Sequence, residues 1–539
     1  MPTGRLESVS LLAPGFMGLN TTDAKVGLSS GYATRALNLV IDKAGRLASR
    51  KGHRRLNTKP IDSLPADEAI KSIWRHDTTY TDYYIASGNN KLFVGDVLSS
   101  GTFADLIDIT PSGLSMQGSR WQFQTLPEGS GNNAKIYTIG TQRLNKPIVI
   151  DENSGSVRAR LLKDVGTFPL GTSSSWDPDS CLSAYGRIWT AGATEDKDTV
   201  WYSDLLDPTN FSTDNAGILD ISSVVGNNDV IVGLAQHNNF LVIFCRDNIV
   251  IYKGAENPDT MELEDVITGI GCLSRDSIKA TGTDLIFLSK SGVRSLSRTV
   301  QEKSMPMREL TLNIKDTFNE WLKFENAPEE ISAGYSEDNA FYVITLPFNR
   351  QMIYIDLRLP MENGSARCTT WALTNGSFFN CYFDDTPKRE FLLGIDGGIG
   401  VYTGNTDDFQ SYDIAYRSAS SDLGGQGQVL TKLGKRADLT IEGAKQQDFV
   451  LTYGYDYSRN PRKIVVDRDL GSGVYSKYAM PTSLYGVSKY SPIGIGIHRV
   501  KVPLGGSGDS FYFGVEATIY DELLSIQKID VFLKTGKTS

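Results

Sequence analysis

Phe240-Leu241-Val242-Ile243-Phe244-Cys245-Arg246-Asp247-Asn248-Ile249-Val250-Ile251-Tyr252 reads as strand, turn, strand. β-Branched and aromatic side chains suit a pleated surface, and Asp and Asn suit the tight turn between two such runs. The same grammar recurs from Tyr83 to Gly95 around Asn89-Asn90, from Leu285 to Leu296 around Lys290-Ser291-Gly292, and from Phe391 to Tyr402 around Asp396-Gly397-Gly398. Hairpins spaced by roughly 40 to 50 residues are what four-stranded propeller blades produce. No strict repeat accompanies them, and neither a tryptophan-aspartate dipeptide nor a kelch double glycine recurs in register, so an array of β-sandwiches is the structural alternative. The expected fold is all-β: a β-propeller-like core, an additional C-terminal β-domain and one isolated amphipathic helix.

That helix is expected from Glu309 to Phe324, where Leu310, Ile314, Phe318, Trp321 and Leu322 share one face ahead of the Asn326-Ala327-Pro328 stop. Three regions follow from the shifts in composition. Residues 1–57 form an N-terminal arm with opening strands, 58–405 the propeller-like core, and 406–539 a C-terminal β-domain with strands available to the core. The last region begins in a Ser-, Gly- and Gln-rich stretch from Ser411 to Gln428 and ends in the alternating run Leu524 to Leu533.

Composition removes several functions. The chain has 539 residues, 40% apolar and 22% charged, and at this size it can bury a large core without disulfides or metal. Against 52 glycines there are four histidines, His53, His76, His237 and His498, none in an H-x-x-x-H spacing, which leaves little material for metal sites or catalytic triads. The net charge of −9 disfavours a protein that binds nucleic acid by neutralising phosphates. Cys181, Cys245, Cys272, Cys368 and Cys381 contain no C-x-x-C pair and read as reduced, buried thiols. The sequence shows neither a signal-peptide pattern nor an apolar run long enough to span a membrane, so synthesis in a reducing cytoplasm is expected.

Motifs that suggest chemistry are incomplete. Gly536-Lys537-Thr538 imitates the end of a phosphate-binding loop, but Val531 stands where the first glycine belongs. Asp151-Glu152-Asn153-Ser154-Gly155 resembles the start of a calcium loop, yet Leu162 occupies the position of the bidentate carboxylate, so a hairpin turn is expected instead. There is no G-x-S-x-G elbow and no G-x-G-x-x-G after a strand. No catalytic, cofactor or metal residue is therefore assigned.

Three short stretches near the start carry a resemblance: Gly15-Phe16-Met17-Gly18-Leu19-Asn20, then Gly31-Tyr32-Ala33-Thr34-Arg35-Ala36-Leu37-Asn38, then Gly45-Arg46-Leu47-Ala48-Ser49-Arg50-Lys51-Gly52. Their order is similar to the opening of the tail nozzle proteins of short-tailed bacteriophages, also called tail tubular protein B, and of related head-to-tail stabilisation proteins. Such proteins commonly begin with G-G-x-N, then A-x-x-x-x-N, then G-x-L-x-x-R-x-G. The likeness continues through Tyr185 to Gly192, Val200 to Phe211 and Ser525 to Ile529.

The resemblance implies a structural virion protein without catalytic activity, typically a homo-hexameric ring at the distal end of the tail. Its expected partners are an adaptor or portal-side ring and tail fibre or spike proteins. Genomic DNA would be retained and then pass without sequence-specific binding. Physics agrees with that use, because cations lining a conduit would grip phosphates and brake sliding. The basic run then belongs at a subunit or adaptor interface through Arg46, Arg50, Lys51, Arg54 and Arg55, where Arg forks pair with carboxylates. The alternative is a tail propeller that binds or cleaves receptor glycan, and a third reading is an intracellular propeller scaffold.

Overall fold

Phe240–Cys245 and Asn248–Lys253 are the second and third strands of one sheet, and they show why the sequence takes this architecture. Alternate side chains leave a strand on opposite faces. Leu241, Ile243, Cys245, Val250 and Tyr252 pack with Trp189 and Val200 on one side. On the other, Val242, Phe244, Ile249 and Ile251 pack with Leu285 and Phe287. A sheet apolar on both faces needs a neighbour on each, and a ring of such sheets supplies both. At about 1.5–3 kcal/mol for each large side chain removed from water, these contacts dominate the local energetics.

The computed structural model describes residues 6–535 apart from 13, 14, 26, 27, 30, 43, 44, 58–68, 79–81, 97–105, 119, 130–134, 173, 174, 227, 228, 302–308, 360, 362, 373–377, 383–388, 421–430, 444–448, 457, 459, 467–474, 477–488, 491–496, 521 and 522. Within these residues the protein is a β-propeller joined to a β-sandwich.

Blade 1 spans 72–108, blade 2 spans 122–161, blade 3 spans 180–220 and blade 4 spans 231–268, each a four-stranded antiparallel meander. Blade 5, at 279–295, has three strands. The last blade takes three strands from 378–402 and its outermost, His53–Arg55, from the N-terminal region, with Tyr402 opposite His53 and Gly400 opposite Arg55. Between blade 5 and the last blade the ring is completed by the meander of Ser332–Ser336, Phe341–Leu346, Gln351–Asp356 and Arg367–Trp371. The four hairpins legible in the sequence are the second and third strands of blades 1, 4, 5 and the last.

The ring closes on apolar contacts. Ile70, Ile73, Tyr84 and Phe93 at the first blade pack against Leu56, Leu392, Ile399 and Val401 of the last. Blades 1 and 2 also share a polar chain, in which Trp74 Nε1 donates to Thr125 Oγ1 (2.9 Å), Thr125 and Thr138 hydroxyls bond at 2.8 Å, and Thr138 Oγ1 lies 2.8 Å from His76 Nδ1. Burial pushes His76 down to about 4, against the opposing pull of the Asp77, Glu152 and Asp151 carboxylates. The folded state therefore favours the neutral ring, and its contribution is full above about 6.5 and fades as pH falls toward about 4. By pH 5 the loss should be about 2 kcal/mol. Urea unfolding at pH 7 and pH 5 measures it, and His76→Gln should flatten the slope.

The meander 332–371 is continuous with a second sheet. Thr370 bridges in parallel to Leu37, and from there Tyr32–Leu37, Tyr412–Ser418, Phe511–Ile519, Phe449–Tyr455 and Arg462–Val466 lie side by side. Facing it is a sheet in which Lys432–Gly443 pairs with Leu524–Thr535, whose other side receives Leu6–Leu12 and Leu47–Ser49. Leu439, Ile441, Ile529, Val531 and Leu533 meet Leu451, Phe511, Phe513 and Val515 between the two sheets. Residues 6–57 thus supply strands to both sandwich sheets and to the last blade. The helix appears as a 3-10 turn, Leu312–Ile314, leading into Lys315–Phe324, with Ile314 and Phe318 buried against the same core.

Candidate functional site

Arg50 is fully buried. Its guanidinium forks onto Asp407 at 2.8 and 2.6 Å, donates from Nε to Asn38 Oδ1 at 3.1 Å, and lies 4.1 Å from the centre of the Tyr412 ring. Asn38 adopts φ +54°, accepts from Ala372 N at 2.8 Å and donates to Asp413 O at 2.7 Å. His53 Nδ1 stands 3.3 Å from Asp407. Burial would raise the Asp407 carboxyl, but Arg50 and His53 overcome it and hold the group at about 2. This node ties the N-terminal strands to the last blade and to the sandwich.

The residues of the G-x-L-x-x-R-x-G stretch therefore have local physical reasons. Gly45 turns at φ +76°, Leu47 enters the sandwich core, Arg50 holds Asp407, and a Cβ at Gly52 would lie 1.9 Å from Thr406 O. The expectation that Arg50 sits at an interface is corrected, since Asp407 provides a carboxylate inside the fold and leaves Arg50 no surface. Arg46 pairs with Asp42 at 2.6 Å and with Glu442, and Arg55 pairs with Asp408 at 3.0 Å. Lys51 lies 5.9 Å from the centre of the Tyr402 ring, and Arg54 is exposed. The sequence shows the cations of this run, but of their acidic partners only Asp42 is close in the chain, and Asp407, Asp408 and Glu442 lie some 350 to 400 residues away.

The second cluster lies on the propeller axis and was not legible as a motif. Just ahead of the innermost strands stand Lys71, Arg120, Asp179, Arg275, Asp276 and Glu330, and Lys279 begins the innermost strand of blade 5. Arg275 reaches Asp179 Oδ1 at 2.6 Å and donates from Nη2 to Arg120 O at 2.7 Å. Asp276 lies 3.7 Å from Arg275 and 3.8 Å from Arg120, and Glu330 lies 3.2 Å from Lys71 and 3.6 Å from Arg120. Burial disfavours the Arg275 charge, yet Asp179 and Asp276 raise its affinity for the proton. Burial likewise opposes ionisation of Glu330, and Arg120 and Lys71 overcome it to hold the carboxyl below its usual range. Lys279 is pushed down by desolvation, against the pull of Asp276.

Arg120 and Arg275 line two cavities, one of about 490 Å³ and one of about 310 Å³. Their ion pairs lie between the two like a crossbar. A blade register is needed to see the pattern in sequence: a charged residue falls one to four positions before the innermost strand of several blades.

Other sequence candidates resolve into structure. Asp151 lies within the strand Asn145–Asn153 ahead of the Ser154-Gly155 turn and binds Arg158 and Arg160 at 3.2 and 2.9 Å, as a hairpin rather than an ion loop. Cys181, Cys245, Cys272 and Cys368 are buried, and burial raises each thiol. Gly536-Lys537-Thr538 lies outside the described residues, as does the part of the segment from Ser411 to Gln428 beyond 420. Among the described residues no group of three or more His, Cys, Asp or Glu side chains is arranged to hold a metal ion, and no helix is long and apolar enough to cross a membrane.

No family model and no curated protein matches the chain. Solved structures similar to it include the Pan2 WD40 domain of Neurospora crassa, at 10% identity and TM-score 0.36, covering 66% of this chain and 95% of that one. The AfRom2 CNH domain is similar at 7% identity and TM-score 0.34, covering 64% and 97%. A protein from Lactobacillus plantarum is similar at 10% identity and TM-score 0.33, covering 65% and 92%.

Proposed function

We propose that this β-propeller protein is a structural subunit of a short phage tail, a ring-forming nozzle through which the genome is held and then released. The observation that carries the reading is the ordered set of nozzle-like stretches from Gly15 to Gly52. Their residues form the junction of propeller and sandwich: Asn38, Arg50 and Gly52 all make the contacts described above.

Geometry adds a constraint on where DNA would run. B-form DNA, whose major groove alone is about 12 Å wide, does not fit a well of about 490 Å³ crossed by ion pairs. The channel is therefore formed between copies, and the propeller is part of its wall. A net charge of −9 favours passage over retention on the wall by phosphate-neutralising cations. On this reading the chain performs no catalysis, and its partners are further copies of itself, with the homo-hexamer as the expected ring, and an adaptor ring. Native mass spectrometry of the full chain tests assembly: rings support the reading, and a monomer at every concentration tested counts against it.

The second reading, a tail propeller that binds receptor glycan, is favoured by one feature, an axial cavity within the roughly 300–1,000 Å³ range of ligand sites. A glycan array with the full chain separates the two readings.

A further inference from the structure

The larger axial cavity is unlike the surface as a whole. The protein carries more acidic than basic groups, yet Arg120, Arg143, Lys197, Arg246 and Arg275 face this cavity against Asp179, Glu329 and Glu330. Asp179 and Glu330 are engaged by Arg275, Lys71 and Arg120 at its floor. At the mouth Arg143, Lys197 and Arg246 are exposed and make no ion pair among the described residues, and Glu329 is the opposing charge there.

Strand register explains the convergence of these cations. Arg143 sits in the turn after the second strand of blade 2, Lys197 in that of blade 3, and Arg246 in that of blade 4. Hydrogen bonds join blades 2 and 3, where Arg143 N donates to Asp179 Oδ1 at 2.9 Å, and blades 3 and 4, where Ile231 N donates to Lys197 O at 2.9 Å; within blade 4 Arg246 N donates to Val230 O at 3.0 Å. A separate observation comes from the floor. Arg120 is more than nine-tenths buried and lines the cavity, and its Nε has no hydrogen-bond partner, the nearest paired carboxylate oxygen being 3.6 Å away.

We infer that the axial well binds a compact multivalent anion bearing carboxylate or phosphate groups, gripped by Arg143, Lys197 and Arg246 at the mouth with Arg120 below. Fields inside a concave, low-dielectric site add rather than screen, so three cations around one opening attract a multivalent anion more strongly than the same cations spread over a surface. Arg forks match the paired oxygens of both anion types. Gln117 and Gln142 line the same cavity and offer amide groups for orientation. This inference does not rest on the phage-tail reading and holds for a propeller in any setting.

Isothermal titration calorimetry of the full chain at low ionic strength, with citrate in one arm and inorganic phosphate in the other, tests it. Saturable one-to-one binding is expected in at least one arm, and the stronger arm identifies the group preferred. The double variant Lys197→Ala/Arg246→Ala should weaken that binding by tenfold or more. Lys135→Ala/Lys163→Ala, which removes exposed cations elsewhere on blade 2 and beside it, should leave it unchanged. No saturable binding in either arm, or equal weakening in both double variants, overturns the assignment. Both variants alter exposed side chains, and their circular dichroism should match that of the parent.

Discussion

Asp407→Ala should destabilise the protein by about 3–5 kcal/mol, the cost typical of leaving one member of a buried ion pair without the other. Arg50 would remain at 0% exposure with its fork empty, held by Asn38 Oδ1 and Lys51 O and stacked on Tyr412. His53 would lose the same carboxylate. Denaturant unfolding of parent and variant measures the loss. Arg50→Met with Asp407→Leu separates pairing from packing, and that double variant should lose less than Asp407→Ala because it removes both charges together.

The same pair sets an acid limit. A carboxyl held at about 2 in the fold and near 3.9 when unfolded contributes stability above about 4, and that contribution is lost as pH falls from about 4 to about 2. The window lies below the His76 window, so acid unfolding should show two phases of weakening. Asp407→Asn should shrink the lower one, to which Glu330 also contributes, and leave the upper.

Trp371→Ala should cost a similar amount, about 3–5 kcal/mol, through lost apolar burial and the cavity left behind. Trp371 is 1% exposed and stacks on Tyr354 (5.3 Å between ring centres) and on Tyr402 of the last blade (5.6 Å). The edge of Phe341 meets it at 5.6 Å, and its Nε1 donates to Leu39 O at 3.0 Å. Removing it therefore loosens the meander, the last blade and the N-terminal strands together. Trp371→Phe should recover most of the packing and lose the bond to Leu39. Tyrosine and tryptophan near-ultraviolet dichroism and a denaturant midpoint read both variants, and an alanine variant within about 0.5 kcal/mol of parent would show that this cluster is not a keystone.

These two sites mark the limit of what the sequence made legible. Hairpins such as Phe240 to Tyr252 are local, so turn chemistry and apolar runs are enough to place both strands. Closure is not local. His53–Arg55 pairs with Gly398–Tyr402, and Leu6–Leu12 with the far end of Leu524–Thr535, partners separated by hundreds of residues with no periodic signal between them. Arg50 looked like an interface cation for the same reason, since Asp407 lies in another region of the chain. The axial charges are not legible in the sequence because the blades share no signature against which Arg120, Asp179, Arg275 and Glu330 could be aligned. The helix at Lys315–Phe324 was legible because its apolar face repeats within a few turns.

The resemblance and the structure meet at the N-terminal stretches. In the fold these stretches are a clasp between propeller and sandwich. Arg54, exposed on the outer strand of the last blade, is the one of the five basic candidates with a fully surface position.

Cryo-electron microscopy of the tailed particles assembled in cells that make this chain tests the central proposal most directly. The expected map shows a closed ring of copies around a DNA channel, with each propeller in the wall and its axial well off the path of the DNA. A particle lacking the chain, or a bore lined by its basic rather than acidic side chains, would contradict it.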